Sequence, residues 1–274
     1  MKSKSFIFLF FITICISYSI ILVYLYMTPH YTPKVHPINL SSMLEKQSFT
    51  SFDYELLFKQ TGLTQPIIDE LHSDPEFKTQ VLAFQQDYLK EVTIKNVYLA
   101  PTTFCQFVID PSTKQNKKAF TLAPYHNGYL LFTNATQTLG WRHGHVGLVV
   151  DEIRGLTLEA LRPGTVSCLQ NIHKWEYYPT FKMMRLKNVS MDDLNYISQY
   201  ALAQLSGLPY NILGAKNQST LQDTHCSLLI WQAFYHFGYD LDSNGGFFVT
   251  PKDLTCSPLL ELLQTYGFNP NKDW

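Results

Sequence analysis

The stretch DTHCSLLIWQAFYHFG places a thiol, Cys226, where a helix is expected to begin. Asp223 or Thr224 is the expected N-cap, and Leu229, Ala233 and Phe237 follow at helical spacing behind the cysteine. A thiol in a first turn meets the positive end of the helix dipole and backbone N–H groups without intrahelical partners. Both favour the thiolate, the form of cysteine that attacks. The same position also suits a small buried hydrophobe.

A thiolate nucleophile needs a base or ion-pair partner, usually an imidazole oriented by a third polar group. The stretch GWRHGHVGLVV carries His143 and His145, one residue apart at the start of an apolar run. Alternate residues of a strand share a face, so the two point the same way. His145, at the strand start, can lie over the N-terminus of a packed helix, and His143 lines the cleft or meets solvent. Gly144 and Gly147 leave room there for another chain or a substrate. His225 adjoins Cys226, and its side chain is expected to point elsewhere around the helix. In the next run, LTLEAL, Glu159 is the lone carboxylate. If buried it needs a partner, which an imidazolium supplies. If it faces outward it is simply solvated.

A metal site on His143 and His145 lacks an acidic or cysteine ligand nearby in sequence, and no CxxC pattern offers a thiolate site. Neither a metal nor a cofactor is expected. Cys105, Cys168 and Cys256 are widely spaced, and any disulfide among them is left open.

The elements that must position these residues read as α+β. From Phe52, FDYELLFKQTGLTQPIIDEL gives two helices around a turn at Thr61–Gly62, with Pro66 in the first turn of the second. DPEFKTQVLAFQQDYLKEV gives a third, opened by Asp74 and Pro75. IKNVYLA, TFCQFVID, GYLLFTN, HVGLVVDE and LTLEAL are short apolar or alternating runs, the pattern of an antiparallel sheet. MDDLNYISQYALAQLSG is a helix capped by Ser190, and SPLLELLQTYG reads as a short last helix.

At the N-terminus, Lys2 and Lys4 precede an uncharged run from Ser5 to Met27. Its length predicts a transmembrane helix over residues 1–27, an uncleaved anchor or else a cleaved signal peptide. By the positive-inside rule the rest of the chain then lies outside the membrane. Residues 28–50, rich in Pro, Ser and Thr at first, read as a tether, and 51–118 as a helical extension. The formal net charge is −1 with no basic block, which argues against nucleic acid as a partner.

Taken in order, GHVGLVV with His145, LEALRPGTV with Glu159, GLPYN at 207–211, HCSLLIWQAF with Cys226 and VTPKDLTCSP at 249–258 resemble the YiiX/YebB-like cysteine hydrolases. These are circularly permuted relatives of NlpC-type enzymes with a papain-like fold, in which the histidine strand precedes the cysteine helix. The resemblance covers roughly residues 119–260 and implies a hydrolase domain over 119–274. It implies Cys226 as nucleophile, His145 as base and Glu159 as orienting residue, with Tyr210 close to the substrate pocket. Tyr129 stands where the family usually has Asp, a structural departure. The implied substrate is a cell-wall peptide, or a lipid-linked one if the chain is a thiol acyltransferase or esterase. An inactive binding module, with Cys226 structural or disulfide-bonded, is the reading from another class.

Overall fold

The computed structural model describes residues 2–26, 30–216, 221–272 and 274. Helix α1 (Lys2–Tyr26) is followed by three helices, α2 (Ser51–Thr61), α3 (Gln65–His72) and α4 (Phe77–Tyr88). Strands β1 (Thr93–Ala100), β2 (Thr103–Ile109), β3 (Leu130–Thr133), β4 (Thr136–Thr138), β5 (His145–Asp151), β6 (Leu156–Glu159), β7 (Cys168–Asn171) and β8 (Phe181–Leu186) come next. Helices α5 (Met191–Gln204), α6 (Cys226–Tyr235) and α7 (Pro251–Thr255) lead to the last strand, β9 (Leu260–Tyr266).

Six strands form one antiparallel sheet in the order β7-β6-β5-β3-β8-β9, and β1-β2-β4 form a smaller one. Helices α5 and α6 pack on each other and on β5, so β5 is buried from His145 to Val150. The mixed α+β class and the antiparallel sheet expected from the strand runs are present. Ser190 caps α5 as expected, its hydroxyl accepting from Asp193 N.

Several expectations are corrected. The predicted transmembrane helix fails: among the described residues no helix is long and apolar enough to cross a membrane. Met1 and Met27, the ends of the expected span, lie outside the described residues. The single-pass anchoring drawn from that span falls with it.

The run SPLLELLQTYG is not a helix. It forms β9, pairing with β8 from Phe181↔Tyr266 to Leu186↔Leu260. The outer edge of β9 is taken by the chain between α2 and α3, through Thr64 N to Leu263 O (3.0 Å) and Thr265 N to Gly62 O (2.8 Å). Tertiary pairing on both edges overrides the helical spacing of the leucines. Helix α4 begins at Phe77, after a turn in which Asp74 Oδ1 accepts from Glu76 N (2.8 Å).

Thr28 and Pro29 of the expected tether lie outside the described residues. From His30 the segment is docked: Tyr31 N donates to Gly267 O (2.8 Å), Gln85 Nε2 to Ile38 O (3.0 Å), and Leu40 is fully buried.

Candidate active site

Cys226 is the first residue of α6. The cap is His225, in place of the expected Asp223 or Thr224; its ring accepts from Leu228 N (3.4 Å) and its Nε2 donates to Gly214 O (3.2 Å). The His225 ring nonetheless acts on Cys226, helping to lower its thiol. An N-cap side chain folds back over the first turn, and that is where the thiol sits.

His145 opens β5, and continuing the β5–β6 register from Leu148↔Leu158 sets Glu159 across from Gly147. His145 and Gly147 share a face, so the imidazole and the carboxylate meet. His145 Nε2 donates to Glu159 Oε2 at 2.6 Å. The remaining ring nitrogen, Nδ1, serves the hydrogen bond between His145 and Cys226. Three residues far apart in the chain thus form one buried line, Cys226–His145–Glu159, with respective exposures of 8%, 7% and 1%.

Glu159 is held by four donors. Oε2 receives His145 Nε2 and Lys174 Nζ, each at 2.6 Å. Oε1 receives Thr157 Oγ1 (2.6 Å) and Trp175 Nε1 (3.1 Å). Lys174 and Trp175 come from a 3-10 turn, Ile172–Tyr177, directly after β7. Trp175 also stacks on His145, ring centroids 5.6 Å apart and planes 11° from parallel. Burial would raise the Glu159 carboxyl, but its bond to His145 and the charges of Lys174 and His145 hold it at about 2.

The same network sets the other two groups. Burial pulls His145 down, yet its hydrogen bonds to Cys226 and Glu159 lift it to about 9. Burial pushes the Cys226 thiol up, but hydrogen bonds to His145 and His225 and the imidazolium charge bring it well below the ordinary thiol value. The favoured state is a thiolate–imidazolium pair, the nucleophile already charged.

The two glycines make room for neighbouring segments of the chain. A Cβ on Gly147 would lie 2.9 Å from Trp175 Cζ2 and 3.0 Å from Glu159 Cγ. On Gly144, at φ +73°, it would lie 2.5 Å from both Thr133 O and Trp274 Cζ2. At Gly147 the space holds two groups of the site, and at Gly144 it holds the backbone of β3 and the ring of Trp274.

His143 stays beside the line without joining it. Its Nδ1 bonds to Gly144 O (2.8 Å) and its Nε2 pairs with Thr138 Oγ1 (3.1 Å). Burial pushes it below the ordinary histidine value, with the Cys226 charge opposing. Tyr210 is half-buried; burial and the nearby Cys226 charge push its phenol up. Its backbone bridges to Thr224, two residues before the nucleophile position.

All five cysteines are free thiols. Cys105 is buried and raised to about 11 by desolvation, the opposite of Cys226. Thr157, Lys174 and Trp175 are not legible as site residues, because nothing in the local sequence marks them. Only pairing of β6 with β7, Glu159↔Cys168, brings the turn that follows β7 under the carboxylate.

No family model matches the chain. Over 143 residues it is 29% identical to "Uncharacterized protein YycO" of Bacillus subtilis (strain 168), covering 50% of this chain and 55% of that protein. The chain thus spans about half the length of the curated relative it matches. Among solved structures it is similar to the crystal structure of metalloprotein yiiX from Escherichia coli O157:H7, with 12% identity and a TM-score of 0.43, over 52% of this chain and 99% of that one.

Proposed function

We propose that this chain is a cysteine acyl hydrolase working through Cys226, His145 and Glu159. The observation that carries the reading is the buried hydrogen-bond line from a helix-N-terminal thiol through an imidazole to a carboxylate. The order of the parts, histidine strand before cysteine helix, is that of the permuted NlpC-type hydrolases which the sequence resembles.

The Cys226 thiolate attacks a carbonyl carbon. As the first residue of α6, Cys226 has a backbone N–H with no intrahelical acceptor, and that group faces the developing oxyanion. The carbonyl re-forms as the bond to the leaving amine or alcohol breaks, and the His145 imidazolium gives that group its proton. A thioester on Cys226 remains. Neutral His145 then takes a proton from water, the hydroxide adds to the thioester carbonyl, and the acid departs as the thiolate returns. Glu159 holds the imidazole in orientation throughout and balances its positive charge.

Cell-wall peptides and lipid-linked acyl groups both present a carbonyl of this kind. Incubation of the full chain with p-nitrophenyl acetate and with an acyl-peptide amide tests the reading. Turnover is expected in the wild type and in His143→Ala, reduced in the latter, and lost in Cys226→Ala and His145→Ala. Undiminished turnover in Cys226→Ala would rule the reading out.

A further inference from the structure

Lys216 and Asp242 form an ion pair that the proposed chemistry does not use, and their side chains are only 15% and 0% exposed. A buried pair adds little stability over an apolar one, and its best-attested use is to fix one arrangement of the chain. Trp231 of α6 lies beside it. Its Nε1 donates to Asp240 Oδ1 (2.9 Å), and Lys216 Nζ stands 5.8 Å from its ring centroid. Asp240 Oδ1 also accepts from Asp242 N (3.0 Å), and Phe247 O accepts from Lys216 N (3.3 Å). The segment that ends at Lys216 is thus clamped both to residues 240–247 and to α6.

Just before Lys216, Gly214 O accepts from His225 Nε2 (3.2 Å). On the other side of that ring, Nδ1 accepts from Leu228 N (3.4 Å). Ser227 Oγ lies 3.3 Å from Nδ1 and gives its proton to Val249 O (2.8 Å). The imidazole therefore carries its proton on Nε2 and is buried between the loop and the first turn of α6. A Cβ on Gly214 would lie 2.9 Å from Leu228 Cδ2 and 3.1 Å from Asp223 Oδ1, so the loop sits tightly on the helix. Cys226 follows the cap directly, and whatever fixes the cap fixes the thiol.

We infer that His225 is a positioning residue for the Cys226 thiolate, set against Gly214 O, and that the Lys216–Asp242 pair is the latch that holds Gly214 in place. The inference rests on the proposed role of Cys226 as nucleophile. Capping by His225 engages Leu228 N–H and holds the first turn so that its positive end stays on the sulfur. Burial raises the thiol, and His145 and then His225 bring it down. His143 and Tyr210 also feel the Cys226 charge, His143 from before β5 and Tyr210 from the 207–211 segment. Asp223, beside Gly214, accepts from Asn211 Nδ2 (2.7 Å).

The test is the pH midpoint of Cys226 alkylation by iodoacetamide in the full chain, read by peptide mapping. It needs no turnover. In His225→Asn the shorter side chain can still cap α6, so the melting temperature should stay near wild type while the tie to Gly214 is lost. The midpoint is expected to rise by at least about 0.5 pH unit. Lys216→Met/Asp242→Leu removes both charges of the latch at once and leaves His225 in place. Its midpoint is expected to rise too, and to rise no further when His225→Asn is added. An unmoved midpoint in His225→Asn would make His225 a helix cap only and overturn the inference. Shifts that simply add would overturn the latch. A wild-type midpoint that responds as expected, with no turnover of p-nitrophenyl acetate, would instead overturn the hydrolase reading while leaving the positioning of the thiol intact.

Discussion

His145 and Lys174 bind the same oxygen of Glu159, each at 2.6 Å from Oε2. The carboxylate is therefore shared between an imidazolium that takes part in the proposed chemistry and an ammonium that does not. Lys174 draws off part of the negative charge that would otherwise hold the proton on His145.

Removing Lys174 should make His145 more basic. In Lys174→Met the alkaline limb of kcat/KM is expected to move above its wild-type position, with rate at the optimum falling no more than about tenfold. A pH profile of the two proteins reads this directly. An unmoved limb would mean that Lys174 only fills space.

The wild-type profile has a predicted shape. His145 is raised to about 9, so its proton is present below that pH and is lost as pH rises through it. Activity should fall on the alkaline side near pH 9. Cys226 is lowered well below the ordinary thiol value, so the acid limb should lie well below where a free thiol titrates, and it belongs to the pair jointly. Activity that climbs steadily through pH 9 would mean an ordinary thiol.

Alkylation should separate the cysteines. At pH 6 iodoacetamide is expected to modify Cys226 ahead of Cys105, whose thiol burial raises to about 11. Peptide mapping after short exposure checks the order. Faster labelling of Cys105 in the folded chain would remove Cys226 from its proposed role.

Gly147→Ala should damage stability and activity together. The new methyl would sit 2.9 Å from Trp175 and 3.0 Å from Glu159, forcing apart the two groups that hold His145. Overpacking of this kind costs about 1–3 kcal/mol, read as a lower melting temperature. The rate should fall more than in a surface variant of equal stability loss.

The site was legible in the sequence to the extent that local chemistry marks it. A cysteine at a helix start, a histidine opening a buried strand and a lone carboxylate in an apolar run each stand out from their neighbours. Lys174 and Trp175 do not, because a 3-10 turn after a half-exposed strand carries no local signature of a site. Their position follows from strand register, a property of two segments at once. The same reason explains β9, whose leucines suit a helix until β8 and the Gly62–Thr64 turn claim its two edges.

The most direct measurement is intact-protein mass spectrometry of the full chain, quenched in acid during turnover of p-nitrophenyl acetate. The account predicts one added acetyl group, mapped by peptide digestion to Cys226 and absent in Cys226→Ala. Continued turnover with no adduct on Cys226, or an adduct undiminished in Cys226→Ala, would contradict it.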